Sequence, residues 1–247
     1  MSELAAVRRR LEEYQACDVA DGRPRFLFRG QRATYPSIKS TFARIPVTDM
    51  EIGQAYTVYR YAKQICQGLR GYMIDHLDGV AVLQHYGWPT PLIDLTGTLE
   101  VAVFFALQGA AVGSRAVIYV VDTEKLPEQA VVVDHTFLTH TFDDGGRQHR
   151  WLRQDGFALT TRDWRAATDA REFDLLTAPF RSALEANEFS VTGAEHCDLA
   201  DVLSMADDPI PQHLQSLLKL FCDHQFEGVL APKLAQIVEG MWHATAA

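Results

Sequence analysis

Three features of the sequence predict an α+β fold in a single domain. Apolar, β-branched runs at residues 116–121 and 130–133 have strand chemistry. Other segments place apolar residues at three- and four-residue steps, as Leu4, Val7, Leu11 and Tyr14 do, which is helix chemistry. No Pro-, Gly- or Ser-rich linker and no shift in composition divides the chain. One domain is therefore expected over residues 1–247, with a motif-bearing core at 20–160 and a mostly helical extension at 165–247.

Residues 3–16 read as a helix with Ser2 as N-cap. Asp21-Gly22-Arg23-Pro24 is turn chemistry. Residues 25–29 carry Phe26, Leu27 and Phe28 and read as a short, largely buried strand that Gly30 ends. Residues 31–45 read as loop. Helical stripes follow at 49–70 and 75–85, the second stopped by Gly87 and Pro89. Residues 91–94 are short and extended. Thr98 is placed to cap a helix over 99–107, with Glu100 in its first turn, where a negative charge suits exposed amides. That helix is apolar on every side and should be buried all round. Residues 122–129 and 136–150 read as loops. Residues 151–161 read as two short strands or one bulged strand around Gly156. A strand is expected at 172–176, a short helix at 180–186, and amphipathic helices at 213–223 and 232–243.

Composition narrows the function. A net charge of −9 argues against broad binding to a nucleic-acid backbone. The cluster Arg147, His149, Arg150 and Arg153 reads as a solvated face. The four cysteines, at 17, 66, 197 and 222, have neither zinc-ligand nor disulfide-framework spacing, so a reducing cytoplasm is the expected home. Among nine histidines there is no HxxxH or HExxH pattern, so no metal is expected. The opening MSELAAVRRRLEEY has no apolar signal core, and no apolar run approaches the ~20 residues needed to cross a bilayer. GxSxG, P-loop and GxGxxG patterns are missing, which disfavours acyl transfer, Walker-type phosphate binding and a Rossmann site.

Four clusters carry chemistry. Arg29-Gly30-Gln31 sets a planar, permanently charged fork at a strand end, suited to a phosphate or carboxylate. The following glycine would let a ligand approach the backbone. The alternative is a structural arginine paired with Asp94. Gln84-His85-Tyr86 offers His85 as an acid/base or as a donor to a ligand oxygen, or as a satisfied helix-end histidine. In Asp94-Leu95-Thr96 the carboxylate needs a partner, and Thr96 either enters the site or caps a turn. Arg153-Gln154-Asp155-Gly156-Phe157 sets polar groups beside a strand.

FRGQ at 28–31, LQHYGWPTPLIDLTGTLEVAVFFAL at 83–107 and RQDGF at 153–157 together resemble the FRG domain, a family named for its Phe-Arg-Gly motif. The resemblance covers about residues 20–160. Pro91 stands where that family usually has Arg, and Leu95 where it usually has Trp. Many members are linked to mobile elements and anti-phage defence. A more distant similarity is to ADP-ribosyltransferases, on Arg29, then Asp94-Leu95-Thr96, then Ala102-Val103-Phe104-Phe105-Ala106. It implies a small split β-sheet core with surrounding helices. It also implies that the chain acts on NAD, or binds it, as a toxin or defence effector with a macromolecular acceptor. Arg29, His85 and Gln154 would then be catalytic, and Gly30, Gln31, Gln84, Asp94 and Thr96 would bind the substrate. In that arrangement Arg29 holds the pyrophosphate or ribose and Thr96 braces the nicotinamide side. Gln154, with Asp155 beside it, stands nearest to the family's glutamate, and an amide cannot supply that glutamate's negative charge. The alternative implied by the resemblance is a non-catalytic module that binds a nucleotide or macromolecule through the same pocket.

Overall fold

The structure is a computed structural model, and it describes residues 2–15, 23–44, 77, 80–81, 84, 90–135, 154–163, 172–193 and 199. Its centre is one antiparallel sheet of six strands: β1 (Phe26–Gln31), β2 (Ile93–Thr96), β3 (Arg115–Asp122), β4 (Ala130–Asp134), β5 (Gly156–Thr161) and β6 (Leu184–Ser190). The strand order is β4-β5-β2-β1-β3-β6. The α+β class holds. The sheet is continuous across all six strands, where a split core was expected.

Period-two alternation gives the sheet two faces. On one face, Phe28, Ala116, Ile118, Val120 and Phe189 pack under α1 (Glu3–Gln15) and the 99–107 helix. Helix α1 contributes Leu4, Val7 and Leu11, the stripe legible in the sequence, and Ser2 Oγ accepts from the Ala5 amide at 3.2 Å. The opposite face carries Leu27, Ile93, Leu95, Val117, Tyr119, Val121, Phe157 and Leu159, covered by Ile38, Phe173, Leu175 and Phe180. A four-residue helix, α2 (Thr41–Arg44), lies between β1 and β2 in the chain. The 99–107 helix is α3 (Leu99–Leu107); it buries Leu99, Val101, Ala102, Val103 and Ala106.

Several expectations need correction. Gly30 does not end the first strand; β1 runs through it to Gln31. Of the stretch 151–161, residues 156–161 form one strand entered by a turn at Gln154 and Asp155, and 151–153 lie outside the described residues. Residues 172–176 form no strand, because Asp174 turns the chain: its Oδ1 accepts from the amides of Ile38 (2.8 Å) and Leu176 (3.0 Å). In place of a helix at 180–186 there is a 3-10 turn, Ala178–Phe180, and then β6. So part of the supposed helical extension belongs to the sheet, with Phe189 opposite Ala116. Thr98 sits at the α3 N-cap position, yet its hydroxyl donates to Asp155 Oδ2 (3.1 Å) and makes no cap bond. Glu100 in the first turn pairs instead with Arg8 at 2.8 Å. The helices expected at 49–70, 213–223 and 232–243 lie outside the described residues, as does most of that at 75–85.

Candidate functional site

Gly30 fixes how the site is built. A Cβ there would lie 1.7 Å from the Ala102 carbonyl oxygen and 2.7 Å from the Ala106 amide nitrogen. Helix α3 thus rests directly on the β1 backbone, with alanines as its contact residues. The space that the sequence reading left open for a ligand is filled by that helix. Arg29 and Gln31 point to the other face, as Leu27 does, since side chains alternate along a strand.

Arg29 sits opposite Tyr119 on β3 and crosses toward β2 on its other side. Strands β1 and β2 register at the single pair Phe28↔Thr96. Just past it, Arg29 Nη1 donates to the Asp94 main-chain carbonyl at 2.6 Å. Arg29 and the Asp94 segment therefore meet, as the sequence reading required. Arg29 Nε is buried and has no hydrogen-bond partner among the described residues, and neither does Gln31 Oε1. Burial draws the Arg29 guanidinium below its ordinary value; the Asp94 carboxylate opposes that shift and the charge of Arg44 adds to it. An arginine remains cationic throughout the accessible pH range. Both Arg29 and Gln31 are half-buried as whole residues.

A chain of hydrogen bonds supports this arrangement. Gln84 Nε2 donates to Asp94 Oδ1, and Gln84 Oε1 accepts from Thr90 Oγ1. The Thr90 carbonyl in turn accepts from the Phe42 amide of α2 at 3.2 Å. That last bond ties α2, and with it Arg44, to the β2 segment. Arg44 was not among the residues singled out, because its surroundings read as loop. Gln84 thus holds one oxygen of the Asp94 carboxylate.

At the far end of β2 a second group forms. The Thr96 hydroxyl donates to the Gln154 carbonyl (2.6 Å) and accepts from the Thr98 amide (3.1 Å), so it is committed to the turn that leads into α3. Gln154 is buried. Asp155 adopts φ 44°, a left-handed backbone that few non-glycine residues take. Its carbonyl accepts from the Gly97 amide at 3.0 Å, and a Cβ at Gly97 would lie 2.2 Å from its Oδ2. Burial pushes the Asp155 carboxyl up, the Thr98 hydrogen bond lowers it, and Asp134 pushes it further up. His135 is buried nearby, its amide donating to the Gly156 carbonyl at 3.0 Å; burial lowers its pKa to about 4, opposed by Asp134. His135 is therefore a neutral imidazole. The sequence offered no periodic or motif signal for it.

The structure thus brings together Arg29, Gln84 and Asp94 at one end of β2 and Thr96 with Gln154 at the other, with Gln31 two residues beyond Arg29 on β1. Two residues of strand, about 7 Å, separate Asp94 from Thr96. His85, Arg153 and the cluster at 147–153 lie outside the described residues. No cluster of metal-ligating side chains occurs among the described residues. Among them, no helix is long and apolar enough to cross a membrane.

With this geometry in place, one likeness to known proteins emerges. Residues 24–114 match the family model of the FRG domain. That stretch, which holds the Phe28-Arg29-Gly30 motif, β2 and α3, is similar to the FRG domain. No curated protein and no solved structure matches the chain. The matched stretch ends before β3, so four of the six strands lie beyond it.

Proposed function

We propose that this FRG-like domain binds NAD or a closely related nucleotide at Arg29, as an ADP-ribosyltransferase-like domain. One observation carries the reading. The Arg29 guanidinium is pinned through Nη1 to the Asp94 carbonyl, while its buried Nε makes no hydrogen bond among the described residues. A fork held on one side and open on another is preorganised for a phosphate or ribose oxygen. Arg44 adds positive charge on the same side. Asp94, held by Gln84, keeps the arginine oriented. Transfer of ADP-ribose to a macromolecule, or hydrolysis of NAD, is the chemistry this reading assigns, with a toxin or anti-phage role in the cytoplasm as its setting.

A second reading, binding without turnover, is favoured by Gln154. A neutral amide supplies no charge to an oxocarbenium-like sugar, and the Thr96 hydroxyl is spent on the α3 turn. Incubation with NAD, following released nicotinamide by chromatography and binding by calorimetry, separates the two. Nicotinamide release supports the transferase or hydrolase reading; intact NAD with measurable binding supports the module. Arg29→Lys keeps a charge but loses the fork, and is expected to weaken NAD binding at least tenfold while the protein stays folded. Equal affinity in the lysine variant, or no NAD binding by the unaltered chain, overturns the assignment.

A further inference from the structure

Arg29 Nε and Gln31 Oε1 make a donor and an acceptor on one face of one strand, two residues apart. Both atoms are buried, and neither has a hydrogen-bond partner among the described residues. A buried polar atom left unpaired is unfavourable, and native proteins rarely tolerate two side by side without a partner. Strand geometry sets their Cα atoms about 7 Å apart, and both side chains are long enough to converge on one small group. Their cross-strand neighbours on β3, Tyr119 and Val117, are buried in the apolar layer on that face. Each of the two residues is half-buried as a whole, so both side chains lie near the surface although these two atoms are covered.

We propose that Arg29 and Gln31 together read a planar ligand edge that presents an acceptor beside an N–H donor. Arg29 Nε donates to the ligand's oxygen or ring nitrogen, and Gln31 Oε1 accepts from its amino group. A primary carboxamide and the amino edge of adenine share this chemistry. No charge on the ligand is required at Gln31; with Nε given to this edge, any anion contact falls to the other N–H groups of the guanidinium. The inference deepens the nucleotide reading by assigning a specificity determinant, and it rests on that reading only for the source of the edge.

The test compares the unaltered chain with Gln31→Met, which keeps length and loses the acceptor, and Gln31→Glu, which keeps the acceptor. Calorimetric titrations use NAD, its deamido analogue (a carboxylate in place of the carboxamide), ADP-ribose, and nicotinamide alone. Gln31→Met is expected to lose about tenfold in affinity for ligands that carry the recognised edge, with Gln31→Glu retaining most of it. If NAD weakens while ADP-ribose and the deamido analogue are unaffected, the edge is the carboxamide. If all three dinucleotide-derived ligands weaken together, it is adenine. Circular dichroism melts confirm that the variants fold. Unchanged NAD affinity in Gln31→Met, where Arg29→Lys loses it, overturns this inference and leaves the nucleotide reading standing. Failure of the unaltered chain to bind NAD and ADP-ribose while nicotinamide binds, and weakens in Gln31→Met, does the reverse. No binding of any probe overturns both.

Discussion

Gly30→Ala should unfold or severely destabilise this protein, although it adds a single methyl group. The new Cβ would meet the Ala102 carbonyl oxygen at 1.7 Å, its carbon at 2.7 Å and the Ala106 amide nitrogen at 2.7 Å. Ordinary contacts between such atoms lie near 3.5 Å, so α3 would have to lift by roughly 2 Å. All the clashing atoms are backbone, so no side-chain rotation relieves them. Lifting α3 would loosen Leu99, Ala102, Val103 and Ala106 from Phe28, Ile118 and Phe189, the centre of one hydrophobic layer. Overpacking of this kind costs about 1–3 kcal/mol where neighbours can adjust, and more where they cannot. A loss of at least ~3 kcal/mol is expected, which for a chain of this size lowers Tm by about 6–12 °C. Urea and thermal melts followed by circular dichroism measure it. A shift under about 1 kcal/mol would show that α3 does not rest on β1, and the placement of Arg29 argued from it would go too.

Other predictions follow from the same geometry. Thr96→Val removes a hydroxyl that both donates to Gln154 and accepts from Thr98, and should cost about 1–3 kcal/mol in urea melts while leaving NAD affinity unchanged. His135 has its folded pKa depressed to about 4, against an ordinary 6.5, so the unfolded chain takes up its proton first as the pH falls. Its contribution is fully present above about pH 6.5 and is lost down to about pH 4, by roughly 3 kcal/mol in all. The raised Asp155 carboxyl acts in the opposite sense in acid and offsets part of this. His135→Phe should flatten the acid slope of Tm between those values; an unchanged slope would refute the assignment. Gln84→Leu removes the hydrogen bonds to Asp94 and Thr90 and should weaken NAD binding several-fold, checked by calorimetry beside thermal melts that confirm folding.

The parts of the fold that were legible in the sequence are those where pattern and packing agree. The α1 stripe, the β-branched runs of β3 and β4, and the apolar helix α3 each bury what the sequence marks as apolar. β6 was hidden because LEANEFS is an edge strand: Glu185, Ala186 and Glu188 face solvent, and only Asn187 and Phe189 are fully buried. Its pairing with β3 is set by tertiary contact rather than propensity. Asp174 disguised a turn as a strand because neither its register nor its bonds to backbone amides leave a trace in composition. Within the site, charge chemistry linked Arg29 with Asp94; they meet through the Asp94 main-chain carbonyl, while one carboxylate oxygen takes the Gln84 amide. Gly30 was read for ligand access because a glycine records that a side chain is unwelcome without recording which neighbour excludes it. Thr96 was ambiguous for a similar reason, since a hydroxyl serves a turn as readily as a ligand. Arg44 and His135 gave no sequence signal because what distinguishes them is proximity across the fold.

The pairing of β3 with both β1 and β6 bears on how the protein can be dissected. A fragment cut to residues 24–114 would keep the Phe-Arg-Gly strand but strip it of its longest neighbour. The newly bared backbone edge of β1 would then be free to zip onto another copy. The motif is thus held in shape by polypeptide well downstream of it, and the minimal folding unit must extend at least to Ser190.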